Sequence, residues 1–321
     1  MLYPMKLKAP LKDYLWGGTK LKDFYNKTTD LEKVAESWEL SCHKDGASEI
    51  VNGAAAGQTL AAYIKTAGNE ILGEKAAKFP YFPLLIKLID AKDNLSVQVH
   101  PGDEYALRVE GEYGKTEMWY IVDCEPGASL LYGFTQKLEK EEFRRRIADN
   151  TLLEVCNKVP VKKGDVFFIE SGTLHAIGKG ILIAEIQQNS NTTYRIYDYD
   201  RRDKEGKPRD LHVDKAVEVT NLEPPRTAGT DILSMDFMAG CKLQLLSKCG
   251  YFTVYHAEID GICHFKAGKE SFQAITALSG SLCLQSATGT VGIGQGDTVF
   301  IPAGMGEYSL EGKGEIIFSM L

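Results

Sequence analysis

Residues 95–120, LSVQVHPGDEYALRVEGEYGKTEMWY, carry the pattern that predicts the fold. Their first six side chains alternate between apolar and polar, and this period of two predicts a strand. On such a strand Gln98 and His100 point to the same side, about 6–7 Å apart. A loop rich in glycine and charge is predicted at 101–114, before a second strand that begins at Glu117 and carries aromatic and β-branched residues.

A second stretch, GDVFFIESGTLHAI at residues 164–177, complements the first. It predicts a strand, a tight turn and another strand that opens at His175. Two imidazoles, a carboxylate and an amide oxygen suit a divalent ion of the zinc, iron or manganese type, with room left for water or substrate. From spacing alone, a metal site and the solvated face of an antiparallel sheet both remain open.

The motifs in these stretches resemble those of a known superfamily. HPGDEYA after an alternating strand, Glu117 within KTEMW, and GDVFFIESGTLHAIG resemble the two sequence motifs of a cupin barrel. More narrowly, the sequence resembles the type I mannose-6-phosphate isomerase family in its short bacterial form. The supporting segments occur in family order over most of residues 1–220: WGG (16–18), ESWELS (36–41), LIKLID (85–90), SVQVHP (96–101), KTEMWY (115–120), GTLHAIG (172–178) and EIQQNSNTTYRIYD (185–198).

The resemblance implies a mainly β fold with two cupin-type (jelly-roll) β-barrels and a few inserted α-helices. It also implies one zinc ion (Zn2+) per chain. In the family the ligands are a Gln, a His two residues later, a Glu on the next strand and a His after the Gly-Asp strand. At the matching positions this sequence has Gln98, His100, Glu117 and His175.

The family's reaction interconverts mannose 6-phosphate and fructose 6-phosphate by proton transfer between C1 and C2 through an enediol. Such a reaction needs a base for the carbon-bound proton and a charge that stabilises the enediolate. The resemblance therefore implies a zinc-dependent aldose–ketose isomerase whose partner is a small-molecule sugar phosphate.

Three residues are predicted to be catalytic. Arg195, in NTTYRIYD, matches the family's catalytic arginine and would hold phosphate or enediolate by forked bonds, unless it pairs with Asp198 or Asp200. Lys115 lies two residues before Glu117, on the same strand face, as a charge near the metal. Glu185, in AEIQQ, is the predicted base.

One lysine inside an apolar run has two open interpretations. Lys87 is the single charge of LLIKLI at residues 84–89. It is predicted to be a phosphate partner or, alternatively, a strand lysine whose head group reaches solvent.

Composition restricts the class of protein. A length of 321 residues suggests about two domains, and 44% hydrophobic with 25% charged residues predicts a packed globular chain. The net charge of −7 argues against a nucleic-acid or membrane-surface binder, and no apolar run approaches a membrane span. Seven cysteines without a CxxC pair, and an N-terminus without a signal peptide, predict a cytoplasmic location. The oligomeric state is not predictable.

The two halves of the chain resemble a repeat. Residues 164–172, GDVFFIESG, align with residues 296–304, GDTVFIPAG, at a constant offset of 132. One supersecondary unit used twice is the economical explanation. Because the second copy has Glu307 where the first has His175, we expect the second copy to have lost the metal.

A Pro-rich polar segment at residues 222–233 predicts a domain boundary. Residues 1–230 are predicted to form a catalytic, metal-binding cupin domain with inserted helices. Residues 231–321 are predicted to form a degenerate C-terminal cupin barrel without metal. Helices are predicted at 59–76, 135–150 and 210–219.

Two other functions remain open from the sequence. One is a cupin metalloenzyme of another class, such as an iron-type oxygenase that uses two His and one carboxylate. Gln98 as a fourth ligand and the segment around Arg195 argue against it. The other is a non-catalytic sugar-binding cupin, which would bind its ligand without turnover.

Overall fold

The structure is a computed structural model that describes residues 1–202, 205–225 and 233–321. Strand is its commonest regular conformation and the sheets are antiparallel, which confirms the predicted mainly β class. The strands, in chain order, are β1 (Met5–Lys8), β2 (Leu11–Lys12), β3 (Glu36–Leu40), β4 (Cys42–His43), β5 (Gly46–Ala47), β6 (Glu49–Ile50), β7 (Leu84–Ala91), β8 (Val97–Val99), β9 (Glu117–Cys124), β10 (Ser129–Phe134), β11 (Cys156–Pro160), β12 (Val166–Ile169), β13 (His175–Ala176), β14 (Ile181–Gln188), β15 (Tyr194–Tyr197), β16 (Ser234–Met238), β17 (Cys241–Lys248), β18 (Thr253–Ala267), β19 (Gln273–Ser286), β20 (Gly289–Gly294), β21 (Thr298–Ile301) and β22 (Gly306–Met320).

Short helices interrupt the strands. The α-helices of the described ranges are α1 (Lys20–Phe24), α2 (Leu60–Ala67), α3 (Asp103–Val109), α4 (Lys140–Ala148) and α5 (Val213–Val219). Single 3-10 turns lie at Gly53–Ala55, Asn69–Leu72, Glu74–Lys78 and Leu152–Val155.

The predicted helices exist but are shorter than expected. α2 begins after Thr59, whose side chain accepts a hydrogen bond from the Ala62 amide, and it ends at Gly68, where φ is 95°. The predicted start of α4 at Thr135 is wrong, because that residue directly follows β10 and donates its backbone N–H to the Val155 carbonyl. α5 begins three residues later than predicted, with His212 at its N-cap.

α3 was not predicted, because its segment reads as a loop between glycines. Asp103 and Glu104 occupy its first turn and Arg108 its last, an arrangement that complements the helix dipole. Gly114 then returns the chain to β9. A Cβ there would meet the backbone at the start of α3 at 2.5 Å, so a larger residue does not fit.

Two compact units are distinguished by their internal contacts. The first comprises Met1–Asp13, Thr19–Leu88 and Asp231–Leu321, and the second comprises Tyr14–Gly18 and Ile89–Thr230. The predicted boundary between residues 230 and 231 lies outside the described residues. The division into domains at 1–230 and 231–321 therefore stays a prediction.

The first unit is built on a nine-stranded sheet in the order β16-β17-β18-β22-β19-β21-β1-β6, with β20 paired to β19. Alternate residues of its long strands turn inward, as a period of two requires. They fill one core made of Cys241, Ala257, Ile259, Cys263, Ala267, Ile275, Ala277, Leu282, Leu284, Val291, Ile293, Val299, Ile301, Tyr308, Leu310, Ile316 and Phe318.

The predicted repeat is visible in the strands. β12 and β21 keep the offset of 132 residues at both ends. The glycines that flank them, Gly164 with Gly172 and Gly296 with Gly304, all have positive φ. Glu307, at the position that matches His175, is exposed.

The second unit contains a five-stranded sheet in the order β11-β10-β13-β8-β15, and β12, β9 and β14 pair side by side. In β8, Val97 and Val99 are fully buried in an apolar core with Phe134 and Phe143. Gln98 therefore faces the other side of this sheet, which confirms the predicted alternation. That second face carries the polar residues considered next.

Candidate metal centre

Three buried side chains from different strands converge in the second unit. His100 follows the end of β8, Glu117 opens β9 and His175 opens β13. The His100 Nε2 atom lies 3.8 Å and the His175 Nε2 atom 3.5 Å from Glu117 Oε1. None of the three side chains is more than 1% exposed, and their ligand atoms lie within 4.8 Å of one another. We refer to His100, Glu117 and His175 as the triad.

Backbone carbonyls set the tautomer of both histidines. His100 Nδ1 lies 2.9 Å from the Thr192 carbonyl oxygen, and His175 Nδ1 lies 2.9 Å from that of Thr173. A carbonyl only accepts, so each Nδ1 donates and each Nε2 presents its lone pair to the triad. Burial, followed by the charge of Lys115, lowers the pKa of His175 to about 3. His175 is therefore neutral at physiological pH, which is the form that binds metal.

The donor set fits a divalent cation. Two imidazole lone pairs and a carboxylate are all acceptors, so their convergence in a buried place needs a positive group. Lys115 already supplies one, because its Nζ lies 3.0 Å from His100 Nε2 and donates to Glu117 Oε2. Two neutral imidazoles with a carboxylate are the ligands of zinc and related first-row ions.

Gln98, the predicted fourth ligand, adjoins the triad. It pairs directly with His175 in the register of β8 and β13, and its Nε2 atom lies 3.4 Å from His175 Nε2. Its Oε1 atom accepts from Ser96 Oγ at 3.3 Å. A half-turn of the amide exchanges nitrogen and oxygen, which would present Oε1 to a cation beside His175.

Lys115 connects the triad to Glu185, the predicted base. Its Nζ atom lies 3.8 Å from Glu185 Oε1, and both side chains are at most 4% exposed. Trp119 lies opposite Glu185 in the pairing of β9 and β14, and its Nε1 donates to Glu185 Oε2 at 2.9 Å. Trp119 is not among the residues predicted for the site. Its position two residues after Glu117, which places both side chains on the same face of β9, is the sequence signal that would have identified it.

Arg195 lies on the strand beyond Gln98. The two residues are directly paired in the register of β15 and β8, so their side chains share a face. Its Nη1 atom donates to the Asp210 carbonyl at 2.9 Å. Its Nε atom is buried and has no acceptor within the described ranges. Burial, then the charge of Arg209, lowers the pKa of Arg195, but a guanidinium remains protonated at neutral pH.

Asp198, the partner considered for Arg195 from the sequence, is bonded to other arginines. Arg209 Nε donates to Asp198 Oδ2 at 2.8 Å, and Arg201 donates to Oδ1 of the same carboxylate. The Arg195 guanidinium thus donates to a backbone carbonyl, that of Asp210, whereas the Asp198 carboxylate accepts from Arg201 and Arg209.

Lys87 is buried in the first unit. Its side chain is 4% exposed, its Nζ lies 3.4 Å from Glu36 Oε2, and it lies 5.2 Å from the centre of the Trp38 ring. The alternative of a head group that reaches solvent is therefore wrong. Trp38 is fully buried, as a core residue is expected to be.

Comparison with known proteins gives matches over nearly the whole chain. Residues 4–120 match the family described as phosphomannose isomerase type I, catalytic domain, and residues 242–321 match mannose-6-phosphate isomerase, cupin domain. The mannose-6-phosphate isomerase ManA of Bacillus subtilis is 39% identical over 322 residues, 99% of each chain. That of Streptococcus mutans is 37% identical over 99% of this chain and 98% of its own.

A solved structure agrees with these matches. The crystal structure of the mannose 6-phosphate isomerase from Bacillus subtilis superimposes with a TM-score of 0.91 at 36% identity, covering 99% of both chains. In the part of the chain that the structure describes, no helix is both long and apolar enough to cross a membrane.

Proposed function

The chain belongs to the type I mannose-6-phosphate isomerase family, and from this premise we propose that it interconverts mannose 6-phosphate and fructose 6-phosphate at the triad. One observation carries the proposal: a buried His-Glu-His cluster in a chain that matches curated isomerases over 99% of its length. Family membership favours this reaction over the oxygenase and over the non-catalytic sugar-binding protein.

The proposed cofactor is one zinc ion per chain, held by Gln98, His100, Glu117 and His175. When bound there, zinc would polarise the sugar carbonyl and stabilise negative charge on the sugar oxygens. The fixed tautomers of both histidines and the charge of Glu117 support this assignment.

Glu185 is proposed to move the proton. Its carboxylate would remove the proton from C2 of the aldose and return it to C1 of the enediol, which gives the ketose. The indole of Trp119 orients Oε2, and the Lys115 ammonium favours the ionised carboxylate that a base requires. Lys115 would also donate to the developing enediolate oxygen.

Arg195 is proposed to hold the phosphate or the enediolate. Its position opposite Gln98 and its unsatisfied Nε support this role. A guanidinium that is bonded to a carbonyl on one side keeps further donors for an anion on the other.

Finer features of the fold and location are also proposed. We infer that the strands of the chain form two cupin-type barrels, of which the C-terminal one binds no metal. None of the seven cysteines forms a disulfide and four of them are half-buried, which supports a reducing, cytoplasmic compartment.

Removal of the metal is expected to abolish turnover reversibly. A chelator should lower the rate of fructose 6-phosphate formation from mannose 6-phosphate at least a hundredfold, and added zinc should restore it, because the metal stabilises the enediolate. A coupled assay measures the rate. Trp119 fluorescence gives a second readout, since its ring centre lies 5.3 Å from that of His175. Full turnover in metal-free protein would contradict the zinc proposal.

Arg195→Lys is expected to lower kcat/KM about a hundredfold, because lysine keeps the charge but loses the forked bonds. The matched control is Arg145→Lys, on the exposed side of α4, where Arg145 pairs only loosely with Asp149. Steady-state kinetics of both variants measure the difference. Equal kcat/KM in Arg195→Lys and the control would remove Arg195 from the site.

A further inference from the structure

One buried side chain on the triad's side of the sheet has an acceptor that nothing in the described chain satisfies. Gln187, near the end of β14, is 0% exposed. Its Nε2 atom donates to the Gln188 and Ser190 carbonyl oxygens, each at 2.7 Å. Those two acceptors fix which end of the amide is nitrogen. Its Oε1 atom is buried and has no hydrogen-bond donor among residues 1–202, 205–225 and 233–321.

The register of the strands places the Gln187 side chain on the same face as Glu117 of the triad. Gln187 pairs directly with Glu117 across β14 and β9. Directly paired residues share a face, with Cβ atoms about 4.5–5.5 Å apart. Glu185, two residues earlier, lies on the same face and contacts Lys115. Gln187 therefore lies on the same polar face as Glu185 and the proposed ligand Glu117.

The adjacent carboxylate cannot satisfy this oxygen. An ionised Glu117 only accepts hydrogen bonds, so it offers nothing to Gln187 Oε1. The next residue provides a contrast: Gln188 Oε1 accepts from the Thr116 amide at 2.9 Å, and its Nε2 donates to Asp103 at 2.8 Å. Both ends of the Gln188 amide are thus hydrogen-bonded within the fold, whereas Gln187 Oε1 has no donor in the described part of the chain.

We propose that Gln187 is a substrate-binding residue whose Oε1 accepts a hydrogen bond from a sugar hydroxyl on C1, C2 or C3 of the hexose 6-phosphate. This assignment rests on the proposed isomerase function. The hydroxyls near the reacting carbons are the donors that a sugar phosphate at the triad would bring to this face. The C3 hydroxyl is present in both sugars, so a contact to it contributes to affinity more than to the chemical step, whereas in the open-chain forms the C1 hydroxyl belongs to the ketose and the C2 hydroxyl to the aldose.

The experiment is a binding cycle with an unreactive ligand. Mannitol 6-phosphate and its 1-, 2- and 3-deoxy analogues are titrated calorimetrically into zinc-loaded wild type and into Gln187→Met, which keeps the side-chain length but removes the acceptor. In wild type, one of the three deoxygenations is expected to weaken binding about tenfold. In Gln187→Met the same deoxygenation should change binding less than twofold, because the partner is already gone.

Kinetics supply the second readout. Gln187→Met should raise KM about tenfold with kcat within threefold of wild type, the signature of lost uniform binding. The matched control is Gln244→Met, a buried glutamine of the first unit that bonds to His256. It should leave both KM and the deoxy series unchanged.

Several outcomes would overturn the proposal. No effect of any deoxygenation on wild type would exclude a hydroxyl contact, whatever the variants do. If each deoxygenation weakens binding equally in wild type and in Gln187→Met, Gln187 has only a structural role. If the methionine variant does not fold, Gln187→Asn, which retracts the amide, replaces it in the cycle. Absence of turnover in wild type would reject the isomerase function separately, since the binding cycle uses no turnover.

Discussion

His175→Ala is expected to remove the metal and to lower kcat/KM by at least about a thousandfold. A bound cation contributes several kcal/mol to such a transition state, and each 1.36 kcal/mol is tenfold in rate. His175 supplies one of the two imidazole lone pairs, and alanine leaves a buried gap beside Glu117 that cannot bind a cation. The zinc content of purified protein, measured by elemental analysis, and the coupled assay both report the loss.

The matched control is His256→Ala. His256 is also a buried histidine, but it lies in the first unit, where it contacts Gln244 and Glu315. Its removal is expected to lower the stability of the fold, which thermal unfolding measures, but zinc content should stay at one per chain. A His175→Ala protein that keeps both one zinc per chain and the wild-type rate would show that the triad is not the metal site.

Glu185→Gln is expected to have the second largest effect, a decrease of kcat by about 10²–10⁴-fold with little change in KM, because a positioned base contributes that much. The substitution keeps the shape of the side chain and an oxygen that can accept from Trp119 Nε1. It removes only the charge and the basicity. Zinc content should therefore match that of wild type.

Isotope exchange separates a base from a structural carboxylate. With wild type, mannose 6-phosphate deuterated at C2 should lose the label from C2, either to C1 of the product or to solvent, and with Glu185→Gln it should retain the label at C2. The control is Glu258→Gln on the first unit, an exposed residue paired with Lys242. A Glu185→Gln variant that exchanges the label and turns over at the wild-type rate would transfer the role of base to another residue.

Much of the site was predictable because it depends on short-range spacing. The alternation of Val97, Gln98 and Val99 set which side chain faces the core, and the structure confirms it. The strands that open at Glu117 and His175 were recognised from their aromatic and apolar residues. Local periodicity is sufficient for such features, since it follows from the backbone of a single strand.

Features that depend on the register between strands were not predictable. Gln187 faces Glu117 across β14 and β9 although 70 positions separate them in the sequence, and no local pattern encodes that pairing. Trp119 beside Glu185 has the same origin. α3 was not predicted for another reason: its seven residues, between Gly102 and Gly111, are too few to show a helical period that outweighs the flanking glycines.

The pairing of β1 with β21 has a consequence for how the chain is made. Met5 lies opposite Phe300, so the edge of β1 that pairs with β21 stays uncovered until the residues near position 300 have been synthesised. Contacts this distant in sequence are slow to form because the loop between them must close first. The second unit, whose residues 89–230 are nearly continuous, can fold during that delay. The residues proposed to be catalytic, which lie in the second unit, would thus be assembled before β21 is synthesised.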